Sequence, residues 1–70
     1  MNTVNVVEYF SDTIQALHAF PDTDEGNKEA EALFTKIAVE DGFAAHDIEV
    51  GMEDGTLCRA DYELYIIHST

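Results

Sequence analysis

A chain of 70 residues with fifteen Asp and Glu against three Lys and Arg carries a formal charge of -12 at neutral pH. That balance argues against direct nucleic-acid binding and against attraction to anionic membranes, since both need cationic side chains. No apolar segment approaches the roughly 20 residues needed to span a bilayer.

At 46% hydrophobic residues, with four Phe and three Tyr, the sequence is too apolar for a disordered acidic tail. Residues 1–70 therefore read as one folded domain, near the lower size limit for a core without a disulfide or metal. The single cysteine, Cys58, has no internal disulfide partner, and the N-terminus lacks the basic flank and apolar run of a signal peptide. A reducing, cytoplasmic setting is expected.

Residues 4–10, Val4-Asn5-Val6-Val7-Glu8-Tyr9-Phe10, are rich in β-branched and aromatic types and predict a strand. Ser11-Asp12-Thr13 supplies turn chemistry before residues 14–20 resume an extended pattern, so the two runs form a β-hairpin. In the second arm Ile14, Ala16, His18 and Phe20 share one face, and Gln15, Leu17 and Ala19 the other. Pro21 bars continuation as a central strand.

Asp22, Thr23 and Asp24 then precede a helical period, with acids where the helix dipole favours them, so a helix starts near Asp24. Asp22 or Asp24 is the expected acceptor of its first backbone N–H groups. Ala30, Leu33, Phe34, Ile37 and Ala38 fall at i, i+3, i+4, i+7 and i+8, a single apolar stripe. Gly42 is the natural residue just past the helix end, able to take the left-handed conformation.

Beyond it, His46, Ile48, Val50 and Met52 alternate with Asp47, Glu49, Gly51 and Glu53. Cys58, Ala60, Tyr62, Leu64 and Ile66 likewise alternate with Arg59, Asp61, Glu63, Tyr65 and Ile67, which predicts two more strands. A two-residue Asp54-Gly55 turn would set Val50 against Arg59 and Ile48 against Asp61, placing charges in the core. A three-residue loop of Glu53, Asp54 and Gly55, with Gly55 left-handed, instead pairs Val50 with Cys58, Ile48 with Ala60 and His46 with Tyr62. The predicted fold is α+β: ββαββ, one helix packed on a four-stranded, mainly antiparallel sheet.

In that register Glu49 faces Arg59, while Asp47 sits opposite Asp61 with Glu63 further along the strand. Like charges directly opposite repel. Such a cluster is a solvated face, a surface kept for a basic partner, or a hard-cation site. The run Asp22-Thr23-Asp24-Glu25-Gly26 fails as a calcium loop, because its Gly is fifth rather than sixth and Leu33 stands where the bidentate Glu belongs. His18, His46, His68 and Cys58 lack zinc-site spacing. Cys58 reads as a buried structural thiol, His46 as a half-buried edge residue, and His68 as part of a terminal stretch that frays. No catalytic residue, metal or cofactor is expected.

The sheet face away from the helix should carry Val7, Tyr9, Leu17, Leu57, Tyr65 and Ile67, an apolar and aromatic centre beside acids, as many protein interfaces are built. The expected partner-binding residues are Asp47, Glu49, Asp61, Glu63, Tyr9, Leu17, Tyr65 and Ile67. The partner is a basic protein surface or, in the alternative, a second copy that makes a structural homodimer through this face.

In size, acidity and mixed α/β economy the whole chain resembles small acidic accessory proteins of phages and mobile elements, including anti-CRISPR and DNA-mimic inhibitors. The resemblance implies a non-enzymatic inhibitor that blocks a basic surface of a nucleic-acid-handling protein. Carboxylates at i and i+2 on a strand lie about 6.6 Å apart, near phosphate spacing, so Asp47, Glu49, Asp61 and Glu63 suit such mimicry. Glu25, Glu29, Glu31 and Glu40 extend the negative surface along the helix.

Overall fold

The β-branched run near the N-terminus forms strand β1 (Thr3–Phe10), which Ser11 and Asp12, at φ of 50° and 65°, turn back into β2 (Thr13–Pro21). Positive φ at both central residues is type I′ geometry, whose twist matches the flanking strands. This computed structural model describes residues 2–69. Along the hairpin, Glu8 pairs with Ala16 but Tyr9 with Ile14, so Gln15 is an extra residue on β2. The bulge carries Ile14 onto the face of Tyr9, away from Ala16, His18 and Phe20.

Helix α1 (Asp24–Glu40) follows. Its N-cap is Thr23, whose Oγ1 accepts from Gly26 N at 3.0 Å, in place of the expected aspartates. Asp22 serves one step removed, accepting from Asn27 Nδ2 at 2.8 Å. A Cβ at Gly26 would overlap the Pro21 carbonyl, so glycine is required by close approach rather than by a metal loop. The expected stripe is the buried one: Ala30, Phe34, Ile37 and Ala38 are in the core, and Leu33 packs against it. At the far end Gly42 has φ of 87°, Phe43 N donates to Ala38 O and Gly42 N to Val39 O, each at 3.0 Å. This paired closure satisfies carbonyls that the helix leaves open.

Residues 46–52 depart from the strand reading, because they lie in a second helix, α2 (Ala45–Asp54). Ile48, Gly51 and Met52 recur at i, i+3 and i+4 and turn toward the core, while His46 and Val50 are exposed. Gly55 is left-handed as expected, but as the residue that ends this helix, its N–H donating to Gly51 O at 2.7 Å. The segment over 58–67 also divides. Strand β3 (Thr56–Arg59) turns through Ala60 and Asp61 into β4 (Tyr62–Ser69), with Arg59 paired to Tyr62.

The sheet is antiparallel with order β2-β1-β4-β3, so both helices follow the first hairpin and precede the second. The α+β class and ββαββ order of the strands hold, with α2 added. Val4 and Val6 of β1, Leu64 of β4 and Leu57 of β3 meet Phe34, Ala38 and Ile48 in one core. Phe34 and Leu64 are wholly buried, and side chains of that size contribute about 2–3 kcal/mol each by leaving water.

Candidate functional site

Antiparallel partners share a face, so the register fixes which side chains lie opposite the helices. Val7 pairs with Leu17 on one side and Tyr65 on the other, Asn5 with Ile67, and Tyr9 with Ile14 and Glu63. The open face therefore gathers Val7, Tyr9, Ile14, Leu17, Glu63, Tyr65 and Ile67. Leu17 is 61% and Ile67 42% exposed, whereas Val7 beneath them is only 5% exposed. These side chains form an apolar layer that covers the middle of the sheet.

Five of the eight expected site residues, Tyr9, Leu17, Tyr65, Ile67 and Glu63, are thus brought together. Asp61 lies at the tip of the β3–β4 hairpin, and its carbonyl accepts from Ser11 N at 2.9 Å, which ties the two hairpin tips together. Asp47 and Glu49 belong elsewhere. On α2 they share no ladder with Asp61 or Arg59, so both the predicted Asp47–Asp61 pair and the Glu49–Arg59 pair are absent, and a two-residue step on a helix does not reproduce phosphate spacing. Asp47 instead lines a groove of about 550 Å³ between α2 and β3, with His46, Val50, Asp54 and Cys58.

Leu57 and Cys58 exchange the faces assigned to them. Read as one strand, 58 and 62 share a face; a two-residue turn makes 59 and 62 partners, which reverses the parity of everything before it. Leu57 consequently pairs with Leu64 and is buried, while Cys58 pairs with Glu63 and is exposed. His46 is likewise exposed in the first turn of α2, and His68 is held in the β4 ladder opposite Val4.

At the end of the open face nearest the tips, Tyr9, Asp12, Glu63, Tyr65 and Ile67 line a cleft of about 300 Å³. The two tyrosine rings meet edge to face, centroids 5.5 Å apart. Tyr65 Oη donates to Glu63 Oε2 at 2.9 Å, and that bond to a carboxylate holds the Tyr65 phenol above its usual pKa range. Aromatic rings beside carboxylates form a setting for a cationic side chain, arginine above all, because its flat guanidinium both stacks and forks onto carboxylate oxygens.

The opposite face holds a polar cluster that residue patterning missed. Tyr62 Oη donates to Glu8 Oε1 at 2.9 Å, and His18 Nε2 lies 3.7 Å from Glu8 Oε2. Burial first, then hydrogen bonding with the Asp41 and Glu8 carboxylates, pushes the Tyr62 phenol well above its usual range. The signal was present, since Glu8 occupies an inward parity position after Val4 and Val6. Among the described residues no grouping of His, Cys, Asp and Glu is arranged to hold a metal ion, and no helix is long and apolar enough to cross a membrane. No family model, curated protein or solved structure matches this chain.

Proposed function

We propose that this chain is a non-enzymatic acidic binding module that occupies a basic surface of a nucleic-acid-handling protein and blocks it, in a cytoplasmic setting and in the manner of a phage-type DNA-mimic inhibitor. The observation that carries the reading is uncompensated charge beside an open sheet face of half-buried tyrosines and exposed Leu17 and Ile67. Among the described residues the only ion-pair contacts come from imidazoles, His18 to Glu8 and His68 to Asp22, and neither Lys nor Arg neutralises a carboxylate. All the acids except Glu8 and Glu63 are exposed. A cationic partner relieves this repulsion, and the open face supplies the apolar contact that charge alone lacks.

In this reading the Tyr9–Tyr65 cleft seats a basic side chain, Leu17 and Ile67 make the apolar contact, and Asp12, Asp61 and Glu63 form the acidic rim. Asp47 and Glu49 act at longer range, through steering. The test is capture from a host lysate followed by competition. A basic nucleic-acid-binding protein should be retained at about 0.1 M salt, released by about 0.5 M, and displaced by duplex DNA. Tyr65→Asp should abolish retention, while the Asp47→Asn/Glu49→Gln pair should weaken it no more than about threefold. Retention of no basic protein, or affinity indifferent to salt, overturns the reading.

A further inference from the structure

Strand β2 is an edge of the sheet, paired only with β1. Its outward backbone groups have no partner from a loop or side chain among the described residues along 13–20. Exposed edges of this kind template pairing with another strand, and natural sheets usually guard them with charges. Here the charged guard is missing. The nine residues Thr13–Pro21 contain no Asp, Glu, Lys or Arg, although the remainder of the chain carries all fifteen acids. The bulge at Gln15 and Pro21 limit the regular run to residues 16–20.

We infer that this edge joins a second copy of the chain, β2 against β2 in antiparallel fashion about a two-fold axis near His18. Two molecules of charge -12 repel over most of their surfaces, and the paired run of residues 16–20 is where their backbones can meet with no carboxylate opposite another. A basic partner finds nothing here to attract it. The pattern is also self-complementary, because the axis sets Ala16 against Phe20 and Leu17 against Ala19, apolar against apolar. The joint extends two four-stranded sheets into one of eight strands and leaves both open faces accessible, with Leu17 the one residue common to the joint and the site described above. It is small for a stable interface, so the dissociation constant of the dimer is micromolar or weaker.

Sedimentation equilibrium of the full chain tests the proposal. A dimer is expected whose dissociation constant tightens by about threefold or more between about 0.05 and 0.5 M NaCl, because screening removes repulsion between copies. This is the opposite sign from capture of a basic partner, so either idea can fail alone. Ala19→Glu, at an exposed position and with folding checked by circular dichroism, should return the protein to monomer, and Tyr65→Asp should leave it dimeric. A monomer at several hundred micromolar in high salt overturns the inference. So does a dimer that loosens with salt, or one that Tyr65→Asp abolishes and Ala19→Glu spares.

Discussion

Arg59 Nη1 donates to the backbone carbonyl of Asp41 at 2.8 Å, so a residue of β3 caps the C-terminal end of α1. Its Nη2 donates to Gly42 O at 3.1 Å, and the guanidinium carbon lies 4.5 Å from the Phe43 ring centroid. No basic residue stands in the last turn of α1 itself, where Glu40 and Asp41 oppose the helix dipole. The chain's only arginine is therefore committed internally, bonded to backbone carbonyls at the negative end of the helix rather than paired with a carboxylate. Arg59→Met should destabilise the fold by about 1–2 kcal/mol, measured as a shift in urea midpoint, and Arg59→Lys should recover less than half because lysine cannot fork between two carbonyls.

Gly51 faces the β3 strand so closely that a Cβ there would overlap Leu57 Cγ and Cδ2 and stand 3.0 Å from Thr56 O. Alanine at this helical position gains up to about 1 kcal/mol of intrinsic propensity. The overlap outweighs it, and Gly51→Ala should destabilise by about 1–3 kcal/mol in urea unfolding. A stabilised variant would mean that α2 stands further from β3.

Ala60 holds φ of 49° in the β3–β4 turn, a conformation that alanine takes with strain. Ala60→Gly should raise stability by about 0.5–1 kcal/mol despite the greater entropy of the unfolded chain. The thermal midpoint should rise accordingly, by several degrees for a domain of this size.

The raised pKa of Tyr62 gives stability a defined dependence on alkaline pH. The folded state favours the neutral phenol, so the contribution is fully present below the unfolded value of about 10 and is lost as pH rises toward the folded value. The urea midpoint should fall above about pH 10, and Tyr62→Phe should flatten that decline while costing about 1 kcal/mol at neutral pH. An unchanged slope in Tyr62→Phe would assign the titration to another group.

Self-repulsion among exposed carboxylates predicts that salt stabilises the isolated protein. Urea midpoints, free of the ionic strength that guanidinium adds, should correspond to a gain of about 1 kcal/mol between about 0.02 and 0.5 M NaCl. Absence of any gain would show that bound counterions already compensate the charge.

Local chemistry was enough to define the first hairpin, α1 and its closing glycine. Val4 and Val6 alternate, Ser11-Asp12 is turn chemistry, the 30–38 stripe has one period, and Gly42 needs no tertiary partner to end a helix. The open-face residues of β1 and β2 were legible for the same reason, apart from Ile14, which the bulge reassigns. Residues 46–52 were ambiguous because Ile48 and Met52 satisfy an alternating pattern and an i, i+4 pattern equally. Only Gly51, small where the helix meets Leu57, separates the two, and its meaning appears once β3 is in place.

The charge of -12 and its lack of basic counterparts belong to the sequence alone. Which acids lie on one face is a matter of the tertiary structure, because face membership after residue 55 depends on a two-residue turn at Ala60-Asp61 that reverses parity, sending Leu57 inward and Cys58 outward. That structure also sent Asp47 and Glu49 to a helix and left Glu63 beside Tyr9 and Tyr65. Period-2 patterning records alternation but not where the chain folds back, and one unmarked turn is enough to exchange the two faces of a strand.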